Sequence, residues 1–427
     1  MAHFVVEGGR PISGTLIPAG NKNEALPVIA ACLLADGPVT LENVPRIGDV
    51  LCQLEVLRSL GAEVEWRGDG RVSIDPRPVG EQDPDFDRCA RIRASFLLAG
   101  PLLARRGHVR LPRPGGDRIG RRRVDTHLAA LAALGASIDV NGDYLLKVED
   151  RLRGAELFLD EASVMATENV LMAAAAAEGE TIIYNAASEP HVQGLCRLLQ
   201  AMGAEIDGVG SNVLQVRGAR LRGGIEHRVG PDHIEIGSFI GLAAVTGGEL
   251  RIGDVRRDDL RKILMQFRRL GVRTHFEGDH LLVPGEQRLE VQSDIGGAIP
   301  RIDDAPWPGF PADLNSIALV TATQSRGTVL IHEKMFESRL FFVDRLISMG
   351  ARIVLCDPHR AVVVGPSRLS PATMTSPDIR AGMALLIAAL AAEGQSRILN
   401  VEQIDRGYQE IEGRLRALGA SIQRVED

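Results

Sequence analysis

Lysine is almost missing from this sequence. Lys22, Lys147, Lys262 and Lys334 are the only lysines among 49 basic residues, so nearly every positive charge is an arginine. Positive excess is missing too: the formal net charge is -7, which argues against general nucleic-acid binding. Cysteine is sparse. Cys32, Cys52, Cys89, Cys196 and Cys356 lie far apart with no CxxC or zinc-type spacing, and most sit in apolar runs. That usage fits a reducing compartment and a cytoplasmic location. The best apolar run, AGMALLIAALAA, is about a dozen residues and too short to span a bilayer, so no membrane insertion is expected. The start, MAHFVVEGGRPISG, has no basic stretch followed by an apolar one, which argues against a secretory signal. No metal-ligand cluster, P-loop or dinucleotide fingerprint stands out, so no cofactor is expected. The composition selects no oligomeric state.

What is present is a repeat. The phrases LGAEVEW at Leu60, LGASIDV at Leu134, MGAEIDG at Met202, LGVRTHF at Leu270, MGARIVL at Met349 and LGASIQR at Leu418 recur about every 70 residues, longer than a solenoid period. A second phrase runs between them: DGPVTLENV, RGHVRLP, EGETIIYNA, GGELRIGDV, RGTVLIHE and EGQSRILNV. Each predicts a helix, a glycine C-cap and a short strand rich in Val, Ile and Leu. The helices before the second phrase, such as NVLMAAAAA and LNSIALVTAT, are apolar nearly all round and should be buried. The helices before the LGA phrases are amphipathic; in VDTHLAALAALGA, Leu128, Leu131 and Leu134 share one face. A chain of 427 residues is long for one core. Six units in two sets of three therefore predict two similar α/β domains, with a crossing near Gly230 in HRVGPDHIEIG.

Equivalent positions at the helix starts carry polar groups. Ahead of the buried helices stand Lys22, Arg93, Ser163, His233, Asp313 and Arg380; ahead of the surface helices stand Asp49, Arg122, Glu189, Arg257, Arg339 and Arg406. Helix N-termini expose unpaired N–H groups and attract anions. Acids are the usual choice there, so the arginines run against local preference. Any one arginine taken alone is more simply a solvated surface residue. Several at repeat-equivalent starts predict a basic cleft for a small, multiply charged anion.

The motifs GNKN at Lys22, RAS at Arg93, SVMATEN at Ser163, FPADL at Asp313, FESR at Arg339, DIRA at Arg380 and IDRGYQEIE at Arg406 are jointly specific. Together they resemble the UDP-N-acetylglucosamine 1-carboxyvinyltransferases, enolpyruvyl transferases of peptidoglycan precursor synthesis, over essentially the whole chain. The resemblance implies two inside-out α/β domains, each of three βαβαββ repeats, with the active site in the interdomain cleft. It implies one domain of residues 1–20 plus 231–427 and another of residues 21–230, with a Gly-rich loop over 112–123. The implied substrates are phosphoenolpyruvate and UDP-N-acetylglucosamine. By resemblance, Lys22, Arg122 and Arg406 would hold the phosphate and carboxylate of phosphoenolpyruvate, with Asn23 beside Lys22. Arg93, Arg339 and Arg380 would complete the anionic site. Asn23, Asp313 and the backbone after Phe336 would grip the amino sugar. Arg123, Val124, Asp125 and His127 would face the uracil, and Ser163 and Val164 the diphosphate, with Glu189 and His233 nearby. Asp313 is the expected base; a plain helix N-cap is the simpler use of an acid there.

The chain departs from the family pattern at Asp117, where a cysteine is usual. That cysteine is the target of fosfomycin and is assigned to proton transfer or product release. An aspartic acid can donate a proton but is no thiolate nucleophile, so activity with fosfomycin resistance is expected. A turn Asp after Gly-Gly is the plainer alternative. Arg123 replaces a usual proline, and His233 a frequent arginine. Three other readings stay open. A shikimate-3-phosphate enolpyruvyl transferase would carry a GDKS-type opening and an SSQ segment, which this chain lacks. Transfer to another uridine nucleotide and a catalytically silent nucleotide-sugar binder are the others.

Overall fold

Each recurring glycine of the LGA phrases ends a helix in the left-handed half of backbone space. In the computed structural model, which describes residues 2–68, 70–117 and 119–426, Gly61, Gly135, Gly203, Gly271, Gly350 and Gly419 have φ between 87° and 121°. A side chain there would be strained, which is why the glycine recurs. The strands Glu63–Trp66, Ser137–Asn141, Glu205–Asp207, His275–Glu277, Ile353–Asp357 and Ser421–Val425 follow.

One repeat shows the whole unit. Strand Glu156–Phe158 leads into the buried helix Val164–Ala174, then strand Glu180–Tyr184, parallel to the first. Helix Pro190–Met202 follows, and Glu205–Asp207 with Val213–Arg217 closes the sheet antiparallel. That is βαβαββ. Strand Arg301–Asp303 through strand Arg360–Gly365 repeats it. Other repeats borrow a strand from a distant segment. Ile225–Arg228 lies parallel to Val39–Glu42, and Gly14–Leu16 parallel to Leu250–Ile252. His3–Gly8 inserts between Gly394–Leu399 and Ser421–Val425. The sheet of His108–Leu111, Asp143–Lys147 and Ser137–Asn141 has three strands.

The borrowed strands explain how the chain divides. One unit holds Met1–Ala19, Arg118–Arg121 and Pro231–Asp427, the other Gly20–Asp117 and Arg122–Gly230. In each, three apolar helices form the centre and the sheets lie outside them. His233–Thr246, Asn315–Gln324 and Ile379–Ala391 pack on one another. Their contact is close: a Cβ on Gly237 would stand 2.6 Å from Leu314 Cδ1. A helix that is apolar on every face has no solvent side to offer, so the sheets must cover it. The polar residues at the helix starts are the candidate site.

Candidate functional site

Lys22 is the first residue of helix Lys22–Ala31, and the Asn21 side chain caps that helix by accepting from the N–H groups of Asn23 (2.8 Å) and Glu24 (3.1 Å). Lys22 is only 8% exposed, which removes a solvated surface role. Its Nζ lies 2.7 Å from Asp49 Oδ2. Asp49 is in the first turn of helix Gly48–Ser59, so equivalent positions of two successive helices meet as an ion pair. Asn23 is half-buried beside them.

Arg93 opens the 3-10 turn Arg93–Leu98, and its Nη2 donates to the Arg123 carbonyl at 2.7 Å. Burial first, then the neighbouring Arg122, push the Arg93 guanidinium down to about 10. A Cβ added to Gly116 would stand 3.0 Å from Arg93 Cβ and 3.5 Å from Arg122 Nη1. The glycine loop therefore lies directly against this crowded cation pair, with Asp117 half-buried in it. Arg118, within the same loop, lies outside the described residues.

The stretch expected at the uracil divides. Arg123 is exposed and bonds Asp125 (2.9 Å) and Asp160 (3.3 Å). Val124 is buried, and Asp125 opens helix Asp125–Ala133 as an exposed residue. His127 is different. It is 2% exposed, edge-on to Phe96 at 5.1 Å, with Nδ1 3.0 Å from the Asn169 amide. Burial first, then Arg93, press it down to about 3, so it is a neutral ring. The structure engages its δ nitrogen with Asn169 and packs its ring against Phe96. Ser163 caps helix Val164–Ala174 through Ala166 N (3.4 Å), and Val164 is its half-buried first residue. Glu189 stands at the start of helix Pro190–Met202; burial and then Glu189 push Glu168 well above its ordinary range.

The second unit gathers its residues around Asp313. Arg339 Nη2 donates to Oδ1 at 2.5 Å; Arg380 Nε and Nη2 donate to Oδ2 at 3.0 and 2.9 Å. Both arginines are buried. Burial works against the charge of Arg380, but Asp313 and then Tyr408 reverse this and hold it charged. For Arg339 burial is likewise outweighed, first of all by Asp313. The simple N-cap use of Asp313 thus gives way to a carboxylate clamped by two guanidinium groups. Asp378 is the cap nearby: it accepts from the N–H groups of Arg380 and Ala381 and fixes the start of helix Ile379–Ala391. The Arg339 guanidinium lies over the half-buried Phe336 ring at 5.1 Å. Arg406, between two short helices, donates to Gln403 at 2.8 Å. His233 opens helix His233–Thr246, buried 6.2 Å from the Trp307 ring, and burial lowers its pKa.

Sequence reasoning missed the helix caps Asn21, Asp232 and Asp378, although an Asn or Asp just before an apolar helix is a readable signal. It also missed Arg424, which grips Asp405 beside Arg406 at 2.7 and 2.9 Å and Glu412 at 2.7 Å.

Residues 6–415 match the family described as EPSP synthase (3-phosphoshikimate 1-carboxyvinyltransferase). The chain is 58% identical over 424 residues to UDP-N-acetylglucosamine 1-carboxyvinyltransferase of Bradyrhizobium diazoefficiens, covering 99% of this chain and 98% of that protein. To the enzyme of the same name from Treponema denticola it is 54% identical over 426 residues, covering the full length of both. Among solved structures, the enolpyruvyl transferase NikO from Streptomyces tendae superposes with a TM-score of 0.87 over 99% of both chains at 24% identity. EPSP synthase from Acinetobacter baumannii superposes with a TM-score of 0.75 over 100% of both at 18% identity. These two show the fold alone: the enolpyruvyl transferase fold. The chain belongs to the EPSP synthase family, and within it to the UDP-N-acetylglucosamine 1-carboxyvinyltransferases.

Proposed function

We propose that this enzyme transfers the enolpyruvyl group of phosphoenolpyruvate to the 3-hydroxyl of UDP-N-acetylglucosamine and releases phosphate, the first committed step of peptidoglycan precursor synthesis. The observation that carries the reading is the likeness along the whole chain, above half identical, to enzymes of that name. The geometry supports it: cations at helix starts suit a substrate bearing phosphate and carboxylate, and a carboxylate clamped by arginines suits the reacting hydroxyl.

The roles follow from residue chemistry. Lys22 offers a compact charge to the phosphate, Arg122 and Arg406 offer planar grips to phosphate and carboxylate, and Arg93 serves the UDP-sugar. Arg339 and Arg380 hold Asp313 in one geometry, so its carboxylate is pre-placed rather than recruited. Asp313 takes the proton of the sugar hydroxyl as its oxygen bonds C2 of the enol, while C3 gains a proton. The tetrahedral adduct then loses phosphate and a C3 proton, which restores the double bond. Fixed cations offset the charge carried by the leaving phosphate. Asn23 and the backbone after Phe336 hold the sugar; Arg123 and Asp125 serve the nucleotide, and Ser163 the diphosphate. Asp117 serves as the loop acid in place of a thiol. Fosfomycin then has no thiolate to label, and inhibition of this enzyme at ordinary drug concentrations would refute that role. Five free cysteines support a cytoplasmic location.

Phosphate release from phosphoenolpyruvate, measured with UDP-N-acetylglucosamine, shikimate 3-phosphate and UMP in parallel, tests the reading. Release with the UDP-sugar alone is expected. Release with another acceptor alone would keep the chemistry and change the substrate; silence with all three would favour a binding protein.

A further inference from the structure

Strand Arg301–Asp303 runs parallel to Gly327–His332, and the pairing continues by one bond, Asp304 N to His332 O at 3.4 Å. This sets Asp304 beside Glu333. Both side chains are fully buried. Two like charges in that position would repel with no water to screen them.

The hydrogen bonds tell the two apart. Asp304 accepts from two backbone N–H groups, Lys334 at 2.5 Å and Met335 at 3.1 Å, and therefore acts as the charged acceptor. Glu333 Oε2 accepts from the Asn315 amide at 2.9 Å, while among the described residues no donor reaches its buried Oε1. An ionised Glu333 would leave that oxygen bare, at a real cost. A proton on Oε1 turns it into a donor with an acceptor, Asp304, alongside. We propose that Asp304 and Glu333 share one proton, and that this buried carboxyl pair is a positioning device for the turn that carries the backbone after Phe336 toward the acceptor sugar and Arg339 onto Asp313. The role toward the sugar rests on the transferase reading above; the shared proton does not.

Other groups around the pair agree. Burial above all pushes the Glu333 carboxyl up to about 9; Arg339 opposes this and Asp304 adds to it. His359 touches Glu333 only through its main chain, with Nδ1 2.7 Å from the Glu333 carbonyl. Asn315 is the first residue of helix Asn315–Gln324, two residues after Asp313. Glu333 thus ties the helix start that carries Asp313 to the turn that carries Arg339, and Asp304 pins that turn by its backbone.

The test uses the full-length protein and two readouts. Amide hydrogen exchange at Lys334 and Met335, without ligands, should be slow in wild type and in Glu333→Gln, whose amide can still donate to Asp304 and accept from Asn315. Asp304→Ala should speed both amides at least about tenfold. Should that variant not fold, the isosteric Asp304→Asn turns one acceptor into a donor and should release one amide of the two. In kinetics, the KM for UDP-N-acetylglucosamine should rise above about pH 9 in wild type, as Glu333 ionises, and stay flat in Glu333→Gln. Unchanged exchange in the Asp304 variants, or the same alkaline rise in wild type and Glu333→Gln, overturns the proposal. A wild type inactive on the UDP-sugar would fail the transferase reading, while exchange at Lys334 and Met335 above about pH 9, faster in wild type than in Glu333→Gln if the shared proton is lost and equal if there is none, would still decide the pair.

Discussion

Two regions built on one repeat, around Asp313 and around Arg93, treat charge at their helix starts in opposite ways. Around Asp313 two buried arginines are matched to one carboxylate, with both of its oxygens engaged. Around Arg93 the neighbour that matters electrostatically is another arginine, and the glycine loop crosses directly against both. The first arrangement resembles a finished structural site, with its geometry fixed before any ligand arrives. In the second, burial and a neighbouring arginine both disfavour the charge of Arg93, and a bound anion would favour it. Buried pairing yields position, and crowded like charge yields affinity for the opposite charge.

Breaking the first arrangement should have the largest effect. Asp313→Ala leaves Arg339 and Arg380 buried without their counter-ion, so it should cost about 3–5 kcal/mol of stability as well as activity. Asp313→Asn should keep the fold and still lose roughly 10² to 10⁴ in turnover. Thermal melts read beside kcat separate the two; equal activity in Asp313→Asn would refute the base. Arg122→Ala should do the reverse of Asp313→Ala. It should lower kcat/KM for phosphoenolpyruvate by about 10² to 10³ with stability moved by no more than about 0.5 kcal/mol. A marked loss of stability there would mean that Arg122 is structural and the comparison is wrong.

Smaller effects sharpen the contrast. His127 has a folded pKa of about 3 against a reference of 6.5. A base with a depressed folded value is neutral in the fold, and its burial stabilises less as pH falls from 6.5 toward 3, because the unfolded chain takes up the proton first. The melting temperature should therefore fall across that window, and less steeply in a folded His127→Leu variant. An unaltered slope would remove His127 as the cause. Smallest of all, Asn21→Ala should cost about 1 kcal/mol in denaturant unfolding, the value of one helix cap, and perturb Lys22 binding of phosphoenolpyruvate only through that helix end.

Much of this was legible in the sequence because it is local. The LGA glycines mark helix ends through their own backbone preference, and apolar stretches such as LNSIALVTAT announce burial without reference to a partner. The repeat-equivalent polar positions ahead of those stretches fall at the helix starts that the structure shows at Lys22, Arg93, His233 and Arg257. Which starts pair was not legible. Arg380 and Asp313 are 67 positions apart, and nothing in either segment names the other. The same holds for Asp304 and Glu333, whose meeting depends on strand register, and for Arg424, whose grip on Asp405 depends on how the last strand closes its sheet. The surroundings of His127 were not legible for a related reason: it lies one turn from exposed Arg123 in sequence, but Phe96 and Asn169 come from elsewhere and pack on it.

The most direct test of the central claim is to look at the product. Proton NMR of an equimolar mixture of phosphoenolpyruvate and UDP-N-acetylglucosamine with enzyme should show vinyl protons appearing on an ether at the sugar 3-oxygen, in step with free phosphate. Phosphate without that ether, or vinyl signals that remain those of phosphoenolpyruvate, would contradict the account.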